Sequence, residues 1–141
     1  MTCIVSARLR EASGPAAVLD AAYGAFEAML PVIRACQDHA GSLFAAFGKS
    51  AASAADGRNA ILLAPSLPSR CLHESPASGA DSYCGEDVES VAACLAAVTL
   101  LLVDRLTQAA KSAADYRDRA ACRSAVRRAR DIHVLLTGAG R

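Results

Sequence analysis

The stretch CLHESPASGADSYC, residues 71–84, holds the residue types best suited to chemistry. Cys71, His73 and Cys84 are three of the soft or borderline ligands that zinc binds in tetrahedral geometry. A fourth ligand could come from another side chain that carries sulfur, nitrogen or oxygen: Cys94, His39, Glu74 or Asp81. The spacing lacks the C-x-x-C pair of standard zinc motifs, so the same two cysteines could instead form a disulfide or stay free in a polar linker. The sequence leaves all three interpretations open.

Two further histidines, His39 and His133, fall on predicted helices at the edges of apolar faces. If they face each other inside a bundle, we expect them to serve as ligands for a metal or a haem. The Glu-x-x-His motif of di-iron bundles is missing. The alternative for His133, which lies close to the end of its predicted helix, is an interaction with the last carbonyl groups of that helix.

Basic residues recur along the last predicted helix, DYRDRAACRSAVRRARD. The arginines that share one face follow each other at steps of four, four and three residues: Arg119, Arg123, Arg127 and Arg130. This pattern predicts a partner-binding surface for an acidic protein. A solvated helix face, paired with the acidic loop of the same chain, is the alternative. Nucleic acid is a third, because arginines neutralise phosphates, although no recognition motif or aromatic interleaving accompanies them.

Catalytic signatures are missing from the chain. It contains no G-x-S-x-G, no Walker loop, no G-x-G-x-x-G and no H-E-x-x-H. We therefore expect a non-enzymatic protein that works without a cofactor, with zinc or haem as the alternatives named above.

The composition favours helices. The apolar fraction is 53% and the aromatic fraction only 4%, and alanine, the best helix former, supplies much of the rest. The net charge is +1 over 141 residues, which suits one folded domain that spans residues 1–141. Charged residues near the start interrupt any secretory signal, so we expect a cytoplasmic chain in a reducing compartment. Cys36, Cys94 and Cys122 fall in helical apolar patterns and are expected to be reduced cysteines that act as small apolar side chains.

Apolar residues at steps of three and four predict the first long helix from about Pro15 to a stop at Gly48, kinked or divided at Pro31. A further helix is expected over residues 51–63. Residues 64–85 then form one long irregular loop, which is uncommon inside a compact domain and is typically functional or disordered.

The second half of the chain predicts two more helices. A stripe that begins at Val88 loses its phase after Ala109, which indicates a turn near Lys111 to Asp115. Ser112 and Asp115 have the form of a capping box, and Gly138 ends the last helix. Four or five helices that each carry one apolar stripe predict an all-α fold, a compact antiparallel four- or five-helix bundle.

The segment Val91–Val103 is apolar almost all round but, at 13 residues, is shorter than the roughly 20 that cross a membrane. We expect it to be a core helix that also joins two copies in a homodimer. The sequence thus predicts a small interaction or regulatory protein that binds a protein partner through its last helix and no membrane. An alternative is a bundle that encloses a small molecule, cofactor or metal, with residues 65–85 as its lid.

Overall fold

The computed structural model describes residues 2–68 and 87–138. Within them the chain forms five α-helices and one short 3₁₀ turn, and no strand. The helices are α1 (Thr2–Glu11), α2 (Pro15–Gln37), α3 (Phe44–Leu62), α4 (Val88–Ser112) and α5 (Tyr116–Thr137). The all-α bundle predicted from the sequence is confirmed. The one unforeseen helix is α1, whose short sequence mixes arginines with apolar residues and shows little periodicity.

The helices α2, α3, α5 and α4 pack in a ring around one core, and α1 lies against α2 and α4. Two contacts along each pair fix its direction. Glu27 of α2 meets Arg58 of α3, and Asp56 of α3 meets Arg128 of α5. Gln37 of α2 also lies beside Gly48 of α3, and Ser66, just past α3, contacts Asp118 at the start of α5. Each of these neighbours therefore runs antiparallel to the next, as bundles with short loops do.

Two boundaries of the first helical region differ from the prediction. Pro31 lies inside one continuous α2, so the alternative of a helix divided at this residue is wrong. The break comes instead at residues 38–43, and α3 begins at Phe44 and runs through Gly48. The apolar spacing continues across the turn in phase, which is why periodicity alone joined the two helices.

The boundary between α4 and α5 falls where the change of phase predicted it. The cap differs in detail, because Asp115, and not Ser112, is the N-cap of α5: its carboxylate accepts a hydrogen bond of 2.8 Å from the backbone N–H of Arg117. Gly138 ends α5 in the left-handed conformation, with φ at 65°, which glycine adopts at little cost.

Close packing of α2 on α3 depends on Gly57. A Cβ atom added there would lie 2.6 Å from Phe26 Cζ, and the Phe26 side chain is fully buried. Small residues on the inner face of α3, including Ser50, Ser53 and Ala54, are buried as well. The sequence places small side chains where the helix axes come closest.

Arg105 of α4 fastens α1 to the bundle. Its Nε donates a hydrogen bond of 3.0 Å to the carbonyl of Leu9, and its Nη2 donates one to the carbonyl of Ala12. These carbonyls belong to the end of α1, where backbone acceptors lack partners within the helix. A single half-buried guanidinium therefore caps α1 and ties it to α4.

Candidate interaction surface

The exposed side of α5 carries three arginines, Arg123, Arg127 and Arg130, which we call the arginine face. The opposite side of the same helix is buried against α3 and α4 and presents Cys122, Ala125, Val126, Ala129 and Ile132 to the core. The apolar stripe of α5 faces the core, and the arginines lie on the opposite side of the helix. Their guanidinium groups therefore point towards solvent.

No residue of the arginine face forms an ion pair within residues 2–68 and 87–138. The neighbouring positions on this side include Ala120 and Ser124, both exposed, Val134, exposed by 45%, and Asp131, whose carboxylate is paired with Arg128. At 1.5 Å per residue, the arginines extend over about 10 Å of the helix. The surface is a short basic strip with an apolar edge.

The fourth predicted member of this set, Arg119, uses one of its guanidinium nitrogens, Nη1, for hydrogen bonds inside the molecule. Its Nη1 lies 2.9 Å from the carbonyl oxygen of Ala113 and 3.1 Å from that of Ala114. It thereby satisfies carbonyl groups at the end of α4. Arg119 shares the spacing of the stripe, but its hydrogen bonds hold the turn between α4 and α5.

Two other arginines of α5 are paired with carboxylates. Arg128 lies 3.3 Å from Asp56 of α3 and 3.5 Å from Asp131, and Arg117 lies 3.2 Å from Asp115. The hydrogen bond from Arg117 lowers the pKa of the Asp115 carboxyl, and the same contact raises the pKa of the Arg117 guanidinium. Both paired arginines lie outside the arginine face. Helix α5 therefore carries arginines with a carboxylate partner and, on a different side, the arginines of the arginine face.

The first turn of α5 also buries a carboxylate that the sequence analysis missed. Asp118 is only 3% exposed and accepts hydrogen bonds from Ser66, one of 3.1 Å from the backbone N–H and one of 2.5 Å from Oγ. A signal was present, because the buried stripe of α5 extends backward from Cys122 by four residues to this position. Asp118 holds the chain as it leaves α3, and its charge suits a helix N-terminus.

Cys122 lies one turn further along and is fully buried. Burial, with a smaller effect from the nearby Asp118 charge, raises the pKa of the Cys122 thiol to about 11. A thiol of this kind is protonated at neutral pH and does not act as a nucleophile or a metal ligand. The buried cysteine is part of the core, as expected for a small apolar side chain.

The two candidate histidine ligands lie in different settings. His39 is exposed in the turn after α2, outside the helix predicted for it. His133 is half-buried, and its Nδ1 lies 3.2 Å from the carbonyl oxygen of Ala96 in α4. Because that carbonyl only accepts, a hydrogen bond between the two atoms requires a hydrogen on Nδ1. The predicted role of either histidine as a ligand for a metal or haem stays a prediction.

The zinc or disulfide site predicted at Cys71, His73 and Cys84 lies outside the described residues. Within the described ranges Cys3, Cys94 and Cys122 are free thiols, and Cys36 is buried in the core. The same part of the chain contains no group of three or more His, Cys, Asp or Glu residues that could hold a metal ion.

A cleft of about 490 Å³ opens at the end of the bundle where α4 begins and α5 ends. Its lining is mostly small or apolar, with one carboxylate: Leu43, Glu89, Ala92, Ala93, Leu136, Thr137 and Gly138. Neither predicted histidine ligand belongs to this lining. The cleft is open to solvent and brings together no set of converging polar groups of the kind that fixes a small ligand.

Two of the described helices are long and apolar enough to cross a membrane by length and composition alone, Pro15–Gln37 and Val88–Ser112. About half of each apolar window is buried inside the bundle, 50% and 44%. This is weak support for a membrane, because core helices of folded domains meet the same criterion.

Comparisons with known proteins add no relative to these observations: no protein-family model matches the chain, and neither does any curated protein or solved structure.

Proposed function

We propose that this protein is a non-enzymatic interaction protein that binds an acidic helical segment of another protein through the arginine face. The observation that carries the proposal is the exposure of Arg123, Arg127 and Arg130 on one side of α5 without a carboxylate partner in the described residues. Arg117 and Arg128 of the same helix do have such partners. The high arginine content of α5 alone therefore does not explain why the arginine face is unpaired.

The spacing of the arginine face suits a helical partner. Steps of four and three residues match the repeat of one face of an α-helix. A partner helix with glutamates at the same intervals would bring its carboxylates opposite the three guanidinium groups. Arginine donates in a planar fork that fits a carboxylate with two hydrogen bonds, which makes it the favoured cation at protein interfaces.

An apolar edge supports a protein partner over nucleic acid. Val134 is 45% exposed beside the arginines, and an aliphatic side chain of a partner helix would pack there. The net charge of the chain is only +1, whereas domains that bind nucleic acid carry an excess of positive charge. One exposed aromatic residue, Tyr116, lies two turns before Arg123 on α5, so the preference for a protein partner rests on the low net charge and the apolar edge.

The affinity expected from the arginines follows from surface ion pairs. Each exposed pair contributes about 0.5 kcal/mol, so three pairs contribute about 1.5 kcal/mol, or roughly tenfold in Kd. The triple variant R123A/R127A/R130A should therefore bind an acidic partner about tenfold more weakly. Binding by the unmodified protein should also weaken as salt concentration rises, since exposed charges are screened.

The test uses a labelled synthetic helical peptide with one stripe of glutamates, spaced by four and three residues, beside a stripe of leucines. Fluorescence anisotropy at low salt measures Kd for the unmodified protein and for R123A/R127A/R130A. The control R8A/R10A/R34A removes the same number of exposed arginines from α1 and α2. It should bind as the unmodified protein does, because it changes net charge without touching the arginine face.

Two results would reject the proposal. Equal weakening in both triple variants would mean that binding follows net charge and not the arginine face. Tighter binding of a labelled random-sequence duplex DNA than of the peptide, lost in R123A/R127A/R130A, would assign the same surface to nucleic acid.

A further inference from the structure

Helix α4 exposes an apolar stripe that no described element covers. Leu100, at the middle of the helix, is 53% exposed. Ala93 and Ala97 precede it on the same side at steps of four and three residues, and both are exposed. The neighbouring half-buried residues Leu101 and Val103 widen the stripe. A large aliphatic side chain at the centre of an exposed helix face indicates a contact surface.

Opposite charges mark the two ends of this stripe. Glu89 lies eleven residues before Leu100, and Lys111 lies eleven residues after it. Both side chains are exposed, and neither forms an ion pair within the described residues. At 3.6 residues per turn, both lie within about 20° of Leu100 around the helix axis. The stripe therefore begins with an acidic residue, is apolar from Ala93 to Leu100, continues past Asp104 and ends with a basic residue. Glu89 and Lys111 are equally far from Leu100.

We propose that two copies of this chain associate through α4, with the two helices antiparallel and a two-fold axis at Leu100. In this arrangement Leu100 of one copy packs on the partner's Leu100. Glu89 of one copy lies opposite the partner's Lys111, and the symmetry repeats the pair at the other end. An interface of this kind is self-complementary, which is the requirement for a two-fold dimer.

The charges select the antiparallel arrangement. Parallel pairing would place Glu89 against the partner's Glu89 and Lys111 against the partner's Lys111, so both ends would repel. It would also align the two helix dipoles. Charge pattern is known to set orientation and register where helices pair through a narrow apolar seam.

A second copy fits the stripe better than a lipid bilayer does. Asp104 lies on the same side of α4 and is exposed, and its carboxylate accepts hydrogen bonds from Gln108 Nε2 at 3.3 and 3.4 Å. A carboxylate at that depth is costly in hydrocarbon. In the antiparallel pair Asp104 lies opposite the partner's Ala96 and Ala97, whose small side chains leave it a path to solvent.

The dimer surface is on α4 and the arginine face is on α5, so this inference does not depend on the proposed function. Loss of peptide binding in R123A/R127A/R130A would leave the dimer in place. Loss of the dimer would likewise leave the arginines of α5 exposed.

Disulfide cross-linking distinguishes the arrangements. The experiment uses the full chain in a background in which serine replaces Cys3, Cys71, Cys84 and Cys94. In that background L100C should form a covalent dimer under mild oxidation, since the two-fold axis brings both sulfurs together. The matched variant A93C should stay monomeric, because its two copies would be about 21 Å apart along the axis, far beyond disulfide reach.

Cross-linking of both variants would overturn the antiparallel geometry in favour of the parallel one. Cross-linking of neither, together with a strictly monomeric unmodified protein in sedimentation at tens of micromolar, would overturn the dimer itself.

A charge exchange gives a second test that leaves Leu100 in place. E89K and K111E should each raise the dimer Kd about thirtyfold, because each turns two attractive pairs into two repulsive ones. The double variant E89K/K111E restores opposite charges and should recover most of the original affinity. Failure of the double variant to recover, with circular dichroism unchanged, would contradict the pairing of these two residues.

Discussion

Replacement of Gly57 by alanine tests how closely α2 and α3 pack. The new Cβ atom would lie 2.6 Å from Phe26 Cζ and 2.7 Å from Phe26 Cε1. The Phe26 ring is fully buried, so it has no solvent-facing space into which it could turn. Relief of the contact requires a shift of the ring or of the helix axes, and overpacking of this kind costs about 1–3 kcal/mol.

A gain in helix propensity offsets part of that cost. Alanine is favoured over glycine inside a helix by about 1 kcal/mol. The free energy of unfolding of G57A should therefore fall by up to about 2 kcal/mol relative to the unmodified protein. In a domain of this size that corresponds to a Tm lower by up to roughly 6 °C.

The chain contains a matched control in Gly24, which lies in α2. An added Cβ there meets nothing within 4 Å, so G24A gains the propensity without the clash. It should raise the free energy of unfolding by about 0.5–1 kcal/mol. Urea unfolding followed by circular dichroism measures both variants. If G57A were as stable as G24A, the close approach of α3 to Phe26 would be wrong.

Three other predictions concern the polar anchors of the fold. R105A should lower the free energy of unfolding by about 1–3 kcal/mol and expose the end of α1 to hydrogen exchange, whereas a variant that kept α1 protected would show that other contacts hold it. D118A should destabilise by about 1–3 kcal/mol, because it removes two hydrogen bonds from Ser66 to a buried carboxylate. In a double-mutant cycle the losses from D118A and S66A should be less than additive; additive losses would deny the contact. The pKa of Cys122 is raised in the folded state from 9.0 to about 11. The buried, protonated Cys122 thiol therefore contributes fully to stability below pH 9, and this contribution is lost as pH rises toward 11. The free energy of unfolding of C122A should fall less over that range. An identical pH profile for C122A and the unmodified protein would contradict the prediction.

The fold class was predictable because the pattern that specifies it is distributed over many residues. The stripe of α4 and the shifted stripe of α5 each repeat over several turns, and the change of phase between them located the turn near Ser112. A single unfavourable residue carried less weight than this pattern. Pro31 lies inside α2 because the apolar contacts on both sides of it outweigh one lost backbone hydrogen bond.

The features that the sequence did not reveal are single contacts between distant residues. Arg105 caps a helix that begins more than 90 positions earlier in the chain, and no local pattern marks such a partner. The same limit applies to the arginines of α5. Their common face was evident from spacing, but only tertiary structure separates Arg119, which holds the preceding turn, from the three that remain exposed.

Reversal of the arginine face tests the proposed function most directly. The variant R123E/R127E/R130E should lose binding of the glutamate-striped peptide and gain binding of a peptide in which lysine replaces each glutamate, both measured by anisotropy at low salt. That exchange of preference is the result expected if these side chains contact the partner. An unchanged preference for the glutamate peptide, with the fold intact by circular dichroism, would show that the binding surface lies elsewhere.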